Sequence, residues 1–278
     1  EGRKHDVFDK TTPATWLSWH ECNVARVHVE KAVAACEHRG EAVTLTTLSD
    51  RLVLSLLTWH PPGRVGEYRL LRIGTTLQRG AGAGWQLVLE TPDAHKTAAT
   101  FGPSRTTLCA PIVAPLEAYL EAAGLLDSQA APSQPFIFSA GSDLSQPPSP
   151  SAWTRLVQAI FHRHAGVKLA PKEVRSAFVT WLRSSKQSDE TLRAAALALR
   201  HSSKMQKSAA YDKGSSDQLI AAAVDVTRAF AASVSACLRS KCRSSQSIAD
   251  AMADRTRRRA TPRDGADSSA SAARKQRA

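Results

Sequence analysis

The segment ALRHSSKMQKSAAYDKG, residues 198–214, carries His201 and Tyr211, the latter one of only three tyrosines in a chain of 278 residues. A phenol with a pKa of about 10 attacks poorly at neutral pH. As a nucleophile it needs a proton acceptor and an electrophile whose charge is neutralised. For a phosphodiester, cations must cover the two non-bridging oxygens, and the planar fork of arginine suits them. The chain upstream supplies such groups in order. GRVGEYRLL holds Arg64 with Glu67 three residues on, able to hold its guanidinium. AHKTAATFG holds Lys96, a long amine in a turn between two expected strands, and PKEVRSAFVTWL holds Lys172 and Arg175 one helical turn apart on one face.

The elements that must position these residues are legible in outline. TPATWLSWHECNVARVHVEKAVAACEH reads as a long helix with Pro13 in its first turn and Gly40 closing it, and LTTLSDRLVLSLLTWH as a second, stopped by Pro61 and Pro62. Arg64 then falls at the end of that helix, just before a change of character. YRLLRIG and WQLVLET, separated by the Gly-rich GAGAG, read as strands, with a third in TAATFGPSRTTLCAP. APLEAYLEAAGLL is helical, a Pro/Ser-rich loop encloses the short apolar run PFIF, and WTRLVQAIFHRHAG, KEVRSAFVTWLRSS, SDETLRAAALALR and SDQLIAAAVDVTRAFAASVSACL follow as helices. The expected fold class is α+β, mostly helical, with a small antiparallel sheet after the first two helices. In the last helix Leu219, Ala223, Val226, Phe230 and Cys237 make an apolar stripe; packing within the chain and docking onto a second protomer both fit it.

Composition narrows the partners. A net charge of +12 and 42% hydrophobic residues describe a globular basic protein. Residues 239–278 lose the apolar period and hold eleven Lys or Arg against four Asp, a basic tail expected to be disordered. Its RTRRR at 255–259 suits a nuclear-localising or DNA-binding arm, or a solvated linker. A polyanion is the expected partner, and no membrane. With neither a spanning run nor a signal peptide, an intracellular protein is expected, nuclear if the host is eukaryotic. Cys22, Cys36, Cys109, Cys237 and Cys242 lack the spacing of a zinc site or a disulfide framework. Starting at Glu1, the chain is expected to be part of a longer polypeptide.

The order Arg64, hairpin Lys96, Lys172-x-x-Arg175, RHSS at 200–203, Tyr211 resembles the catalytic domain of the tyrosine recombinases, the phage-integrase family, over residues 14–238. The Arg64-x-x-Glu67 box fits, and its flanking Pro-Pro and EYRLL resemble the versions in eukaryotic mobile elements. The resemblance implies the recombinase catalytic-domain fold over 1–238, with the family's core-binding domain absent from the chain. It implies that Arg64 and Arg175 clamp a phosphate of double-stranded DNA and that Lys96 protonates the leaving 5′ oxygen. Lys172, where His is usual, assists proton transfer; His201 hydrogen-bonds the phosphate; Tyr211 forms a 3′-phosphotyrosine. The implied assembly is a homotetramer on DNA, and the implied chemistry uses no cofactor, the guanidiniums supplying the charge that a metal otherwise would. Three departures are visible: Lys172 for His, Arg200 where Gly is usual, and a His201–Tyr211 spacing one residue longer than usual. Taken singly, each residue has a plainer reading as a helix-end cation, a solvated turn, a satisfied histidine or a surface aromatic; their joint order favours chemistry. A DNA-binding descendant without turnover, a type IB topoisomerase and a helical interaction module remain the rival readings.

Overall fold

The computed structural model describes residues 16–80, 84–90, 102–126, 135–139, 143–200 and 223–238. Lys96, His201 and Tyr211 lie outside these described residues, as do the GAGAG centre and the basic tail. The chain divides into two units, Glu1–Ser235 and Ala236–Ala278, and the sheet and the helices packed around it belong to the first.

The first helix, α1, is Trp19–His38. It begins later than Pro13 suggests because Ser18 and Glu21 form a reciprocal cap: Glu21 N–H donates to Ser18 Oγ at 3.2 Å and Ser18 N–H to Glu21 Oε2 at 2.6 Å. Gly40, at φ 68°, follows its end. Helix α2, Leu45–Thr58, starts on a Thr44 cap. Pro61 and Pro62 have no N–H to continue its ladder, and the carbonyl of Leu56 is taken instead by the Tyr68 hydroxyl at 3.0 Å.

The next segment departs from expectation. YRLLRIG is not a strand: Tyr68 and Arg69 belong to a short helix α3, Val65–Arg69, and only Arg72 and Ile73 make isolated bridge pairs. The sheet begins at β1, Leu77–Arg79, and continues through β2, Trp85–Leu89, and β3, Ser104–Thr107. All pairs are antiparallel in the order β1-β2-β3, with Leu77 opposite Leu87 and Leu89 opposite Ser104. The alternation that marks a strand is overridden at Tyr68 because its ring and hydroxyl are buried against the end of α2, a demand the helical turn meets. PFIF lies against this region: Phe136 pairs with Arg72, and Ile137 N–H donates to the Leu71 carbonyl at 3.0 Å.

Four further helices complete the unit: α4 Ala110–Ala122, α5 Pro150–Ala165, α6 Pro171–Ser184 and α7 Asp189–Ala198. A last helix, α8, covers residues 223–238. Helix α1 is central and packs on α2, α5 and α6, while α2 also packs on α4. Trp85 ties sheet to helix by donating from Nε1 to Glu117 Oε1 at 3.1 Å. Asp50, buried on α2, accepts from Arg163 and from His164 Nε2 of α5. The result is a mostly helical α+β unit with one three-stranded antiparallel sheet after the first helices, the fold class expected from the sequence.

On α8 the buried positions are Ala223, Val224, Thr227, Ala231, Val234 and Ser235, a face rotated from the expected stripe; Val226 and Phe230 are half-buried and Cys237 is exposed. The buried face meets this chain's own α1 and α6. Arg26 donates to the Ala231 carbonyl and to Ser235 Oγ, and Phe230 packs against Trp181 at 4.5 Å between centroids.

Candidate functional site

The two arginines singled out by sequence come from opposite halves of the chain and are brought together. Arg64 is not at the end of α2. It sits beyond the Pro61-Pro62-Gly63 linker as the capping residue of α3, in extended backbone at φ −74°, ψ 159°. Gly63 is required there: a Cβ on it would lie 2.8 Å from Glu67 Oε2 and 3.0 Å from the Tyr68 ring. Arg175 lies one turn into α6, whose start is fixed by Pro171 at its first position and by Glu173 Oε2 accepting from the Ala170 N–H at 2.6 Å.

Both guanidiniums reach the same two-residue turn after α7. Arg64 Nη2 donates to the Arg200 carbonyl at 2.5 Å, and Arg175 Nη2 donates to the Leu199 carbonyl at 2.7 Å. Arg175 Nη1 donates also to the Pro62 carbonyl at 2.6 Å, closing a loop of contacts between the linker, α6 and the turn. His201 is the next residue in the sequence after that turn.

Glu67 acts differently from expectation. It is buried, and its Oε2 accepts the backbone N–H of Arg64 at 2.8 Å rather than the Arg64 side chain. Its guanidinium partner is Arg200, with Nε 3.6 Å from Glu67 Oε1. Arg200 also donates from Nη2 to Ser104 Oγ at the start of β3. Sequence reasoning marks Arg200 only as a departure from a Gly and misses its part in the site. The available signal is a second basic side chain in reach of a carboxylate that burial obliges to be paired.

Burial governs the electrostatics. It pulls the Arg175 guanidinium below its ordinary pKa; Glu67 opposes this and Arg64 adds to it. Arg200 is lowered by burial too, again opposed by Glu67 and reinforced by Arg64. Glu67 thus acts on both Arg175 and Arg200, and forms an ion pair only with Arg200. Among the described residues, neither Arg64 nor Arg175 has a carboxylate within ion-pair distance, and both donate only to neutral carbonyl oxygens. Two partly desolvated cations that, among the described residues, make no direct ion pair form a site that suits an incoming anion with two acceptor oxygens.

Lys172 is exposed in the first turn of α6, with its carbonyl accepting from Ser176 Oγ at 3.1 Å. Lys96 falls between β2 and β3, which are hydrogen-bonded antiparallel neighbours, but like His201 and Tyr211 it lies outside the described residues. A small cleft is lined by His60, Glu67, Tyr68, Ser104, Thr106 and Arg200 among others; Arg64 and Arg175 do not line it. His60 is buried, its Nδ1 donating to the Pro61 carbonyl at 3.0 Å, and burial pulls its pKa down to about 4. Among the described residues no group of three His, Cys, Asp or Glu is arranged as metal ligands, and no helix is long and apolar enough to cross a membrane.

No family model and no curated protein matches the chain. Among solved structures it is similar to the XerA recombinase, at 17% identity and a TM-score of 0.43, over 70% of this chain and 58% of that one. It is also similar to the XerH site-specific recombinase bound to difH substrate in a pre-cleavage complex, at 14% identity and 0.44, over 84% of this chain and 56% of that one. The chain therefore spans less than two thirds of either.

Proposed function

We propose that the chain is a DNA strand transferase of the tyrosine-recombinase kind, with residues 1–238 as its catalytic domain and 239–278 as a basic arm. The reading rests on one observation. Arg64 and Arg175 converge on the carbonyls of residues 199 and 200, one of them across 136 residues of sequence, and those carbonyls immediately precede His201. Both guanidiniums are half-buried, and among the described residues neither has a carboxylate within ion-pair distance, an arrangement that suits an arriving anion.

In this reading Arg64 and Arg175 bind the non-bridging oxygens of a scissile phosphate in duplex DNA. The Tyr211 phenolate oxygen bonds to phosphorus as the bond to the 5′ oxygen breaks, and Lys96 delivers a proton to that leaving oxygen. Lys172 assists the proton transfer and His201 donates to the phosphate. Religation reverses the step with a second 5′ hydroxyl, within a tetramer on DNA. The guanidiniums stabilise the pentavalent phosphorane-like charge, and removing one such donor costs about 10²–10³ in rate.

The test is a duplex nicked so that cleavage traps the enzyme. A denaturation-resistant protein–DNA adduct is expected, absent in Tyr211→Phe and reduced about 10²–10³-fold in Arg64→Ala and Arg175→Ala. A band shift with no adduct would make the chain a binder, the reading that the longer His201–Tyr211 spacing favours. Relaxation of a supercoiled plasmid without two-site exchange would make it a topoisomerase.

A further inference from the structure

The turn that receives the two clamp arginines ends in a third arginine, whose carbonyl accepts from Arg64 and whose geometry is unusual. Arg200 has φ 50°, in the left-handed region that an L side chain with a Cβ rarely enters. That turn directs two successive carbonyls, those of Leu199 and Arg200, away from the α7 ladder, and each receives one guanidinium. Meanwhile the Arg200 N–H closes back on the Leu197 carbonyl at 2.8 Å. A glycine would adopt this backbone without cost. The chain instead carries a long cation that is 6% exposed, tied to Glu67 on α3 and to Ser104 on β3. Its side chain thereby fastens the turn to two elements that the backbone alone does not join, while its carbonyl fastens Arg64.

We infer that Arg200 is a positioning residue: its side chain, anchored on Glu67 and Ser104, sets the spacing of Arg64 and Arg175 and so their fit to a phosphate. This deepens the proposed function and rests on it for the identity of the anion. Arg200 need not touch the phosphate; the pairing with Glu67 neutralises its charge, which leaves the charge of Arg64 and Arg175 available. It also explains why Glu67 can be buried beside three cations without pairing with either clamp arginine.

The experiment compares wild type with Arg200→Gly, Arg200→Lys and Ser104→Ala in three measurements: single-turnover adduct formation on the nicked duplex, duplex affinity, and inorganic phosphate binding followed by the arginine Nε–H resonances. Arg200→Gly frees the backbone but removes the anchor. Misplacement of the clamp is expected to slow adduct formation about 10²-fold, with duplex affinity, dominated by contacts elsewhere, changed about threefold or less. Phosphate affinity falls in parallel, Arg200→Lys recovers part of both losses by keeping the Glu67 pair, and Ser104→Ala, which removes one hydrogen bond and is the milder change should Arg200→Gly fail to fold, shows a smaller loss in the same direction. Folded variants with unchanged adduct rate and unchanged phosphate affinity overturn the inference. A wild type that forms no adduct defeats the proposed function instead, and phosphate binding then still decides whether Arg200 sets the clamp.

Discussion

At the scale of single residues, the site is a problem of buried charge: among the described residues Arg200 pairs with Glu67 while Arg64 and Arg175 make no direct ion pair. Arg175 is pulled below its ordinary pKa chiefly by burial, so an anion that reaches it is held in a place where solvent competes weakly. His60, which lines the cleft shared with Glu67 and Arg200, is the neutral counterpart. Its Nδ1 must carry the proton, since a carbonyl can only accept, and burial then keeps the ring uncharged down to about pH 4. Above pH 6.5 the ring is neutral in folded and unfolded chains alike, and stability does not depend on it. As pH falls from 6.5 towards 4 the unfolded chain takes up a proton that the folded chain refuses. Stability is therefore lost across that window, by about 3 kcal/mol at its lower edge. Urea midpoints at pH 7, 6, 5 and 4 should fall in wild type, and His60→Gln should fall less steeply; equal slopes would mean that other groups govern the acid limb. At this scale Arg64 and Arg175 were legible in the sequence as a candidate pair, because chemistry restricts the residue types that can neutralise a phosphate, and the structure brings them to adjacent carbonyls. It hid Arg200, because a side chain that works through a carboxylate and a left-handed turn has no one-dimensional signature.

Between elements, the helix-closing signals were legible and the partnerships were not. Pro61 and Pro62 end α2 as a missing N–H dictates, and Gly40 follows α1. The start of α1 moved to Trp19 because a Ser18–Glu21 cap outcompetes a proline several residues earlier, and YRLLRIG became mostly helix and bridge because Tyr68 has a tertiary partner in Leu56. The stripe on α8 was rotated for the same kind of reason. Its buried face includes Thr227 and Ser235, and Ser235 is there to meet Arg26. Arg26 is fully buried, donates from Nη1 to Glu30 at 2.5 Å and from Nη2 to Ser235 at 3.0 Å, and lies 4.3 Å over the Trp59 ring. One side chain thus joins α1, the end of α2 and α8. Arg26→Ala should cost about 3–5 kcal/mol, since it strips a buried partner network and leaves a hole. Arg26→Met, which keeps the volume over Trp59 and leaves no buried charge, should cost much less. Equilibrium urea unfolding measures both; equal losses would show that the charged contacts, rather than the packing volume, hold α8.

For the molecule as a whole, affinity and chemistry should separate by ionic strength. In the proposed function the paired arginines meet one phosphate, whereas residues 239–278 alone carry eleven Lys or Arg against four Asp, enough to neutralise several. Each neutralised phosphate adds about 0.9 to the slope of log affinity against log salt concentration on duplex DNA. Removing residues 239–278 should therefore flatten that slope by several units if the arm lies along the duplex, and Arg64→Ala should flatten it by about one or less. Adduct formation measured at saturating DNA should respond in the opposite pattern, strongly to Arg64→Ala and weakly to loss of the arm. This contrast is testable by anisotropy titrations over a series of salt concentrations paired with single-turnover rates on the nicked duplex. An arm whose removal leaves the slope unchanged is a solvated segment, and the net charge of +12 would then owe its grip on DNA to the helical unit alone. If both results hold, the two changes act at different places on the same polyanion: the arginine would then govern whether a strand breaks, and the arm how long the duplex is held.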